Sequence, residues 1–188
     1  ELHGTWPWPR SRLAKLVTQI ASPQPAAFAM DMLLAHADQR SASALARQLA
    51  QETGRQDIQN LADTLPDADT ALASNLARMS SVVGFVLDPE KPGRISSVPL
   101  LMRDNAVVQP LWGGAGAIGP HTAFLNAISG MGMIGLPGDE DGTVRRVPLF
   151  VNAGGDIAPG LALEAVRVWQ KASTYIVDGK MPSVLIGD

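Results

Sequence analysis

The sequence predicts a single α/β domain with a central mixed sheet and helices packed on its faces. Strand-like apolar runs alternate along the chain with segments whose apolar residues recur every three or four positions, which is helical spacing. That alternation is typical of α/β layers rather than of a helix bundle or a β-sandwich. The 188 residues fit one domain, and no internal repeat or low-complexity linker divides the sequence.

Three helices are predicted in the first half of the chain from their apolar stripes and end signals. One stripe starts near Leu13 and is closed by prolines. Ser41 or Ser43 caps the second helix, and the third begins after Asp67. The inner face of the second helix is predicted to comprise Ala42, Leu45, Ala46 and Leu49. The polar residues 54–66 between the second and third helices are predicted to be irregular.

The central sheet is predicted to include three segments. Residues 26–31 form a short apolar run between turn signals, and residues 82–87 are apolar and rich in β-branched side chains. Residues 144–151 follow a turn and complete the set. The remaining predictions are short strands within 88–119, helical spacing from residue 124, a strand at 131–136, a helix over 161–169 and a closing hairpin of 175–177 with 184–186.

Composition excludes several classes of function. The chain contains no cysteine, which excludes disulfides, thiolate nucleophiles and cysteine-ligated zinc. A net charge of −3 provides no cationic surface for nucleic acid, so no nucleic-acid partner is expected. No apolar run of about 18 residues is present that could span a bilayer.

No catalytic or metal-binding motif stands out. His3, His36 and His121 lack the spacing of a metal-binding pair, and no serine lies in a G-x-S-x-G elbow. The glycine-rich run at 113–119 lacks the Gly-Lys-Ser/Thr ending of a phosphate loop, which favours a flexible loop. We therefore predict a chain that is not an enzyme and that needs no cofactor and no metal.

Two charged or aromatic segments are candidates for ligand binding. Asp141 with Gly142 is a strong turn signal, and in the strand that follows either Arg145 or Arg146 is expected to face the core. A buried arginine needs an anionic partner, either a carboxylate such as Asp31 or a bound ligand. The aromatic and proline-rich residues 6–11 are either a packing anchor at a helix entrance, which is favoured, or a ligand wall.

Taken in order, these motifs resemble the second type of the cyclase/histidine-kinase-associated sensing extracellular domain, or CHASE domain. The resemblance covers most of the chain, and it depends on five pieces in the right sequence rather than on any one of them. They are Gly-x-Trp-Pro-Trp-Pro-Arg at 4–10, an apolar strand ending in Asp at 26–31, Pro-Asp-x-Asp-x-x-Leu-Ala at 66–73, the Pro-x-x-x-Asp-Gly-x-x-Arg-Arg-x-Pro-Leu element at 137–149, and Pro-x-Leu-Ala-Leu-Glu at 159–164.

The resemblance implies a non-catalytic sensory domain of a bacterial transmembrane receptor, over residues 1–188. It implies a place on the periplasmic or extracellular face of the inner or cell membrane, and an adenylate or diguanylate cyclase or a kinase as the output. The strand that the family usually places before the Trp-Pro-Trp-Pro-Arg segment is missing, and so are the membrane helices that would anchor the receptor. The expected stimulus is an unidentified small molecule or protein, and the expected assembly is a homodimer.

The alternative is a periplasmic protein-interaction or dimerisation module without a small-molecule ligand. Under either interpretation, the residues expected to bind a ligand or to transmit a signal are charged or aromatic, match the motifs of the family and lie beside predicted strand ends. They are Trp8, Arg10, Asp31, Asp139, Asp141, Arg145 and Arg146.

Overall fold

The structure is a computed structural model that describes residues 5–96, 98–110, 112–136, 138, 141–180 and 183–187. Its internal contacts divide the chain into two units. Unit 1 comprises Glu1–Pro25, His36–Met79 and His121–Ala127, and unit 2 comprises Ala26–Ala35, Ser80–Pro120 and Ile128–Asp188. The three segments of one unit alternate along the chain with the three segments of the other. Among the described residues, none of the helices combines the length and the apolar character that crossing a membrane requires.

Unit 1 is helical. Its elements are α1 (Arg10–Ala21), α2 (Ala42–Thr53), α3 (Gln56–Thr64), α4 (Ala68–Leu76) and the single turn α5 (Thr122–Leu125). The side chain of Asp67 caps α4 by accepting a hydrogen bond from the N–H of Thr70 at 2.9 Å, and Gly54 ends α2 in the left-handed conformation. Buried apolar residues of α1, among them Val17, face those of α4, among them Leu72. The three helices predicted in this half are therefore confirmed as α1, α2 and α4.

Two predictions in unit 1 are wrong. Residues 54–66 contain α3, because their polar side chains support a helix through pairs four residues apart, such as Gln56 with Asn60 at 3.1 Å. On α2, Leu45 and Leu49 are exposed and are not the inner face. The helix instead turns its small residues inward, with Ser43 and Ala50 buried.

Unit 2 contains the predicted mixed sheet, and the predicted α/β class is confirmed. Its first strands are β1 (Phe28–Leu33), β2 (Ser81–Asp88), β3 (Leu100–Arg103), β4 (Gly113–Gly114), β5 (Gly116–Ile118) and β6 (Gly130–Met133). The strand β2 is central, because β1 and β6 pair with it in parallel and β5 pairs with it antiparallel. Residues Val82, Val83 and Phe85 of β2 are fully buried. A fully buried central strand explains why its sequence is a continuous apolar run.

Two smaller sheets complete unit 2. The remaining elements are β7 (Phe150–Ala153), β8 (Asp156–Pro159), α6 (Leu161–Gln170), β9 (Thr174–Asp178) and β10 (Ser183–Gly187). The antiparallel pair β9–β10 is the predicted closing hairpin, and β3 pairs in parallel with the other edge of β9. The third sheet has the order β4-β7-β8. The helix α6 packs against β6, β2 and β1 of the mixed sheet.

The prediction that residues 144–151 belong to the central sheet is wrong. Residues 144–149 are not a strand, and β7 begins only at Phe150 and belongs to the third sheet. The side chains of Arg145 and Arg146 are exposed, and Pro148 has no N–H to donate to a neighbouring strand. The helical spacing predicted from residue 124 also produces only the single turn α5, because Gly130 already begins β6.

Candidate functional site

Arg10 is the centre of a polar cluster within unit 1. Its guanidinium forms an ion pair with Asp69 on α4 and donates to the backbone carbonyl of His36. The Cζ atom of Arg10 lies 5.2 Å from the centroid of the Phe124 ring, which is a cation–π distance. The carboxylate of Asp69 also accepts the backbone N–H of Asp38 at 2.8 Å. Arg10 therefore joins the start of α1 to three other segments of the unit, and we name Arg10, His36, Asp38 and Asp69 the Arg10 cluster.

Asp38 holds the loop before α2 in place. Its carboxylate accepts the N–H of Ser41 at 2.9 Å and that of Arg40 at 3.3 Å. Burial acts to raise the pKa of Asp38, but the hydrogen bonds from Ser41, Arg40 and Arg10 outweigh burial and hold that pKa below its usual value. Because a lowered pKa keeps Asp38 charged, the carboxylate remains an acceptor for these donors at neutral pH.

The aromatic residues before α1 pack on one another. The rings of Trp6 and Trp8 meet edge to face with their centroids 5.9 Å apart, and the Cζ of Arg12 lies 5.9 Å from the Trp8 ring. Arg40 donates to the backbone carbonyl of Pro7 at 3.2 Å. These contacts fit the favoured interpretation of the segment as a packing anchor, and a role of Trp8 in ligand binding stays a prediction.

A second polar cluster lies within unit 2 and consists of Glu164 and Arg167 on α6 and Tyr175 on β9. The side chains of Glu164 and Arg167 are only 2% and 8% exposed. Arg167 donates to both carboxylate oxygens of Glu164, from Nη2 at 2.6 Å and from Nε at 2.9 Å. The hydroxyl of Tyr175 also donates to Glu164, and Nη2 of Arg167 donates to the carbonyl of Ser129 at 3.1 Å. We name these three residues the α6 cluster.

The α6 cluster is internally satisfied. Burial, and after it the hydrogen bond with Glu164, raises the pKa of the Tyr175 hydroxyl, so the hydroxyl stays neutral and remains a donor. The hydrogen bonds with Glu164 raise the pKa of Arg167 in turn. A side chain at Gly130 would collide with the Glu164 carboxylate, so β6 carries a glycine where it passes the cluster. The hydrogen bonds among these three side chains hold α6 and β9 together, so the role of the α6 cluster is structural.

The turn after residue 140 contains an exposed ion pair. Arg145 binds Asp141 through both of its terminal nitrogens, at 2.9 Å and 2.7 Å. The hydrogen bonds from Arg145 and then from Thr143 lower the pKa of Asp141 to about 2. Since no strand is present here, the prediction of an inward-facing arginine is wrong. Asp31 is also exposed, on β1, so the predicted buried pairing of Asp31 with Arg145 or Arg146 is wrong too.

Arg146 lines a cavity in unit 2 with a volume of about 320 Å³. The other side chains of the lining are mostly apolar. They include Val108, Pro110, Trp112, Val147, Pro148 and Phe150. Trp112 also packs against the buried core of the unit, around Phe85 and Val151. We name this space the Arg146 cavity. A volume near 300 Å³ is at the lower end of small-molecule sites, and apolar walls with a few polar groups, here Gln109 and Arg146, are typical of them.

The candidate residues are thus distributed over separate places. Asp141 and Arg145 contact each other, Arg10 is used in its own cluster, and Arg146 lines the cavity. Asp139 lies outside the described residues. In the part of the chain that the structure describes, no three His, Asp or Glu side chains are grouped closely enough to hold a metal ion.

Comparison with known proteins decides the family. The sequence profile of the CHASE2 domain matches residues 1–186. The chain belongs to the CHASE2 family. The match confirms the resemblance to the second type of CHASE domain. CHASE2 domains are extracellular sensory domains. No curated protein and no solved structure matches the chain.

Four structurally important residues of this CHASE2 domain were not among the residues predicted for the site. They are Asp69, which forms the ion pair with Arg10, Glu164 and Arg167, which form the buried ion pair of α6, and Trp112, which lines the cavity. Glu164 and Arg167 were visible as two charges three residues apart on an otherwise apolar helix, which is a signal for a buried pair. Trp112 carried no signal, because it lies in an irregular segment without a periodic pattern.

Replacing Arg10 tests whether the Arg10 cluster stabilises the CHASE2 domain. Arg10→Gln leaves the carboxylate of Asp69, whose side chain is only 10% exposed, without its cation. Breaking such a pair from one side costs about 3 kcal/mol. We expect urea unfolding to show a loss of that size. Arg55→Gln is the control, because Arg55 and Asp57 form an exposed pair, and it is expected to leave the unfolding midpoint unchanged. Equal effects of the two substitutions would contradict the structural role of Arg10.

Tyr175 is the single tyrosine of the chain, so the ultraviolet absorbance of tyrosinate reports its ionisation alone. Because the folded-state pKa of Tyr175 is raised, we expect no tyrosinate signal from the folded protein at about pH 10, the ordinary pKa of tyrosine. The stability that Tyr175 contributes is present below that pH. It is lost as the pH rises further, because the unfolded chain ionises first.

The control for this titration is the same chain unfolded in guanidinium, in which Tyr175 is expected to ionise with its ordinary pKa. Circular dichroism recorded alongside the absorbance shows whether the fold persists at each pH. A tyrosinate signal with an ordinary pKa in a protein that is still folded would contradict the buried hydrogen bond to Glu164.

Proposed function

We propose that this CHASE2 domain is the extracytoplasmic sensor of a bacterial membrane receptor. The observation that carries the proposal is the family match over residues 1–186, since CHASE2 domains are extracellular sensory domains. In the proposed receptor, membrane helices outside this chain connect the sensor to an adenylate or diguanylate cyclase or to a kinase. The domain itself lies on the periplasmic or extracellular face of the membrane.

The sensor is proposed to bind its stimulus without chemical conversion. Its well-placed charged groups are engaged with one another, as in the Arg10 cluster, the α6 cluster and the pair of Asp141 with Arg145. These pairs join an arginine to a carboxylate, and none of them places a nucleophile beside a base, which is the arrangement that nucleophilic catalysis requires. The Arg146 cavity supports a binding role, because it offers apolar contact and a charge without a reactive constellation.

Signalling then requires differential binding. A stimulus changes the output only if it binds one conformation of the domain more tightly than another. The Arg146 cavity is bounded by residues 108–110 and 112 on one side and by 146–150 on the other, which are far apart in sequence, and the second segment leads directly into β7. A ligand that contacts both segments therefore favours the conformation in which they are held together.

A second candidate function is protein contact, in particular self-association as a homodimer. The observation that favours it is the exposed face of α2, where Leu45 and Leu49 are 53% and 47% exposed. They lie four residues apart and therefore on the same side of the helix. A membrane tether would raise the effective concentration of such a domain to about the millimolar range, so even weak association would be sufficient in the receptor.

Cysteine labelling of the native receptor tests the position of the domain. The chain has no cysteine, so an introduced thiol is the only one in the domain. Ser22 is exposed, and we expect Ser22→Cys to react with a membrane-impermeant maleimide in cells whose inner membrane is intact. The receptor without the substitution gives the background.

The matched control is Ser43→Cys, since Ser43 is 2% exposed. We expect that thiol to react only after denaturation, which shows that the labelling reports a folded domain. A receptor in which the cysteine at position 22 reacts only after the membrane is permeabilised would place the domain in the cytoplasm, and the sensor proposal would fail.

Sedimentation of the isolated chain at rising concentration tests self-association. We expect weak association that Leu49→Glu weakens by about tenfold, because losing the burial of one leucine costs about 1.5 kcal/mol and a tenfold change corresponds to 1.4 kcal/mol. Gln48→Glu adds the same charge to the same helix beside this face and is the control. A wild-type chain that stays monomeric up to about the millimolar range would remove the dimer proposal.

A further inference from the structure

The two adjacent arginines have different partners. Arg145 is bound by both oxygens of Asp141. Arg146 forms no ion pair with any residue that the structure describes, and it lines the Arg146 cavity. The positive charge of Arg145 is therefore balanced within the turn, whereas Arg146, whose side chain is exposed, brings a charge without an acidic partner among the described residues to the lining of the cavity. The two arginines differ because Asp141 binds Arg145 and not Arg146.

The described lining of the cavity contains no acidic side chain. Apart from Arg146, its one polar side chain is the amide of Gln109, and the rest is aliphatic, aromatic or proline. A cationic or metal ligand would find only carbonyl and amide oxygens there, beside a positive charge. An apolar body fits the walls, and a negative group fits Arg146, whose planar guanidinium binds carboxylates with two parallel hydrogen bonds.

Part of the lining of the cavity is held in place by regular structure. The carbonyl of Trp112 accepts the N–H of Asn152 on β7 at 2.9 Å. Phe150 also lies on β7, and its ring meets that of Tyr175 edge to face with a centroid distance of 5.4 Å. Two prolines of the lining, Pro110 and Pro148, restrict the backbone there. A wall that is ordered before binding reduces the entropy lost when a ligand enters.

From this geometry we propose that the Arg146 cavity binds a small amphipathic anion, with an apolar body in contact with Trp112 and a carboxylate on Arg146. The proposal rests on the sensor function and gives the chemical class of its stimulus. The volume of about 320 Å³ limits the ligand to a small molecule. The same chemistry is shared by short fatty acids and by aromatic carboxylic acids, and the probes below distinguish these two sources.

The test is a titration of the labelled chain followed by nuclear magnetic resonance. The chain has four tryptophans, so the indole N–H region is simple, and Trp112→Phe assigns the signal of Trp112. The probes are octanoate with its uncharged counterpart octanamide, and phenylacetate with phenylacetamide. We expect at least one carboxylate to shift the Trp112 signal in a saturable manner, and its amide to bind about tenfold more weakly, as expected for the loss of a charge-assisted contact.

Adjacent variants provide the control. Arg146→Gln is expected to weaken the binding of the carboxylate by about tenfold and to leave the binding of the amide unchanged. Arg145→Gln removes an equal charge one residue away, but that charge is bound by Asp141, and it is expected to leave both affinities unchanged. If Arg146→Gln fails to fold, the comparison of carboxylate with amide on the wild-type chain decides the question.

Several outcomes would overturn the proposal. They are equal affinities for a carboxylate and its amide, equal effects of the two arginine substitutions, or no saturable shift of Trp112 with any of the four probes. Such failures leave the sensor function standing if the cysteine at position 22 is labelled from outside the cell. Labelling only from the cytoplasm, together with selective carboxylate binding, would refute the sensor function and retain the binding site.

Discussion

The buried ion pair of Glu164 with Arg167 is the constraint around which unit 2 is arranged. Removing two charges from water is unfavourable unless every polar atom finds a partner. Here two bonds from Arg167 and one from Tyr175 to Glu164, together with the bonds from Arg167 to the carbonyls of Ser129 and Ala172, meet that requirement. The same bonds fix α6 against β9 and leave room only for a glycine at the start of β6. The packing of the mixed sheet therefore depends on a polar interaction as well as on its apolar residues.

Unit 1 uses the same principle in a partly exposed form. Arg10 binds Asp69 and a backbone carbonyl, and the face of Phe124 lies against its guanidinium. An arginine can do all of this at once because its charge is spread over a plane with five donors. The alternating tryptophan and proline residues 6–9 come directly before this arginine, so residues 6–10 belong to one local structure at the start of α1.

Apolar runs and the signals at the ends of elements were sufficient to predict some of the elements. The strand β2 was predictable because a continuous apolar run marks a buried strand, β1 because its short apolar run lies between turn signals, and α4 because Asp67 caps an apolar stripe. The helix α3 was missed because its stability comes from polar pairs and from contact with α2, which a hydrophobic pattern does not record. Residues 144–149 were wrongly predicted as a strand because the prediction did not take account of Pro148, which has no backbone N–H to donate to a neighbouring strand. Arg146 was selected through that mistaken strand and through its match to a motif of the family, and its position beside a cavity depends on tertiary structure alone.

The alternation of the two units along the chain limits how such a domain can be altered. Each unit is assembled from three separated segments, so moving one unit into another protein means changing the chain at five junctions. A recombination event with a single crossover inside the domain always leaves at least one unit with segments from both parents. Variation in this fold is therefore expected to accumulate through point substitutions and loop changes, and chimaeric receptors are best joined outside the domain.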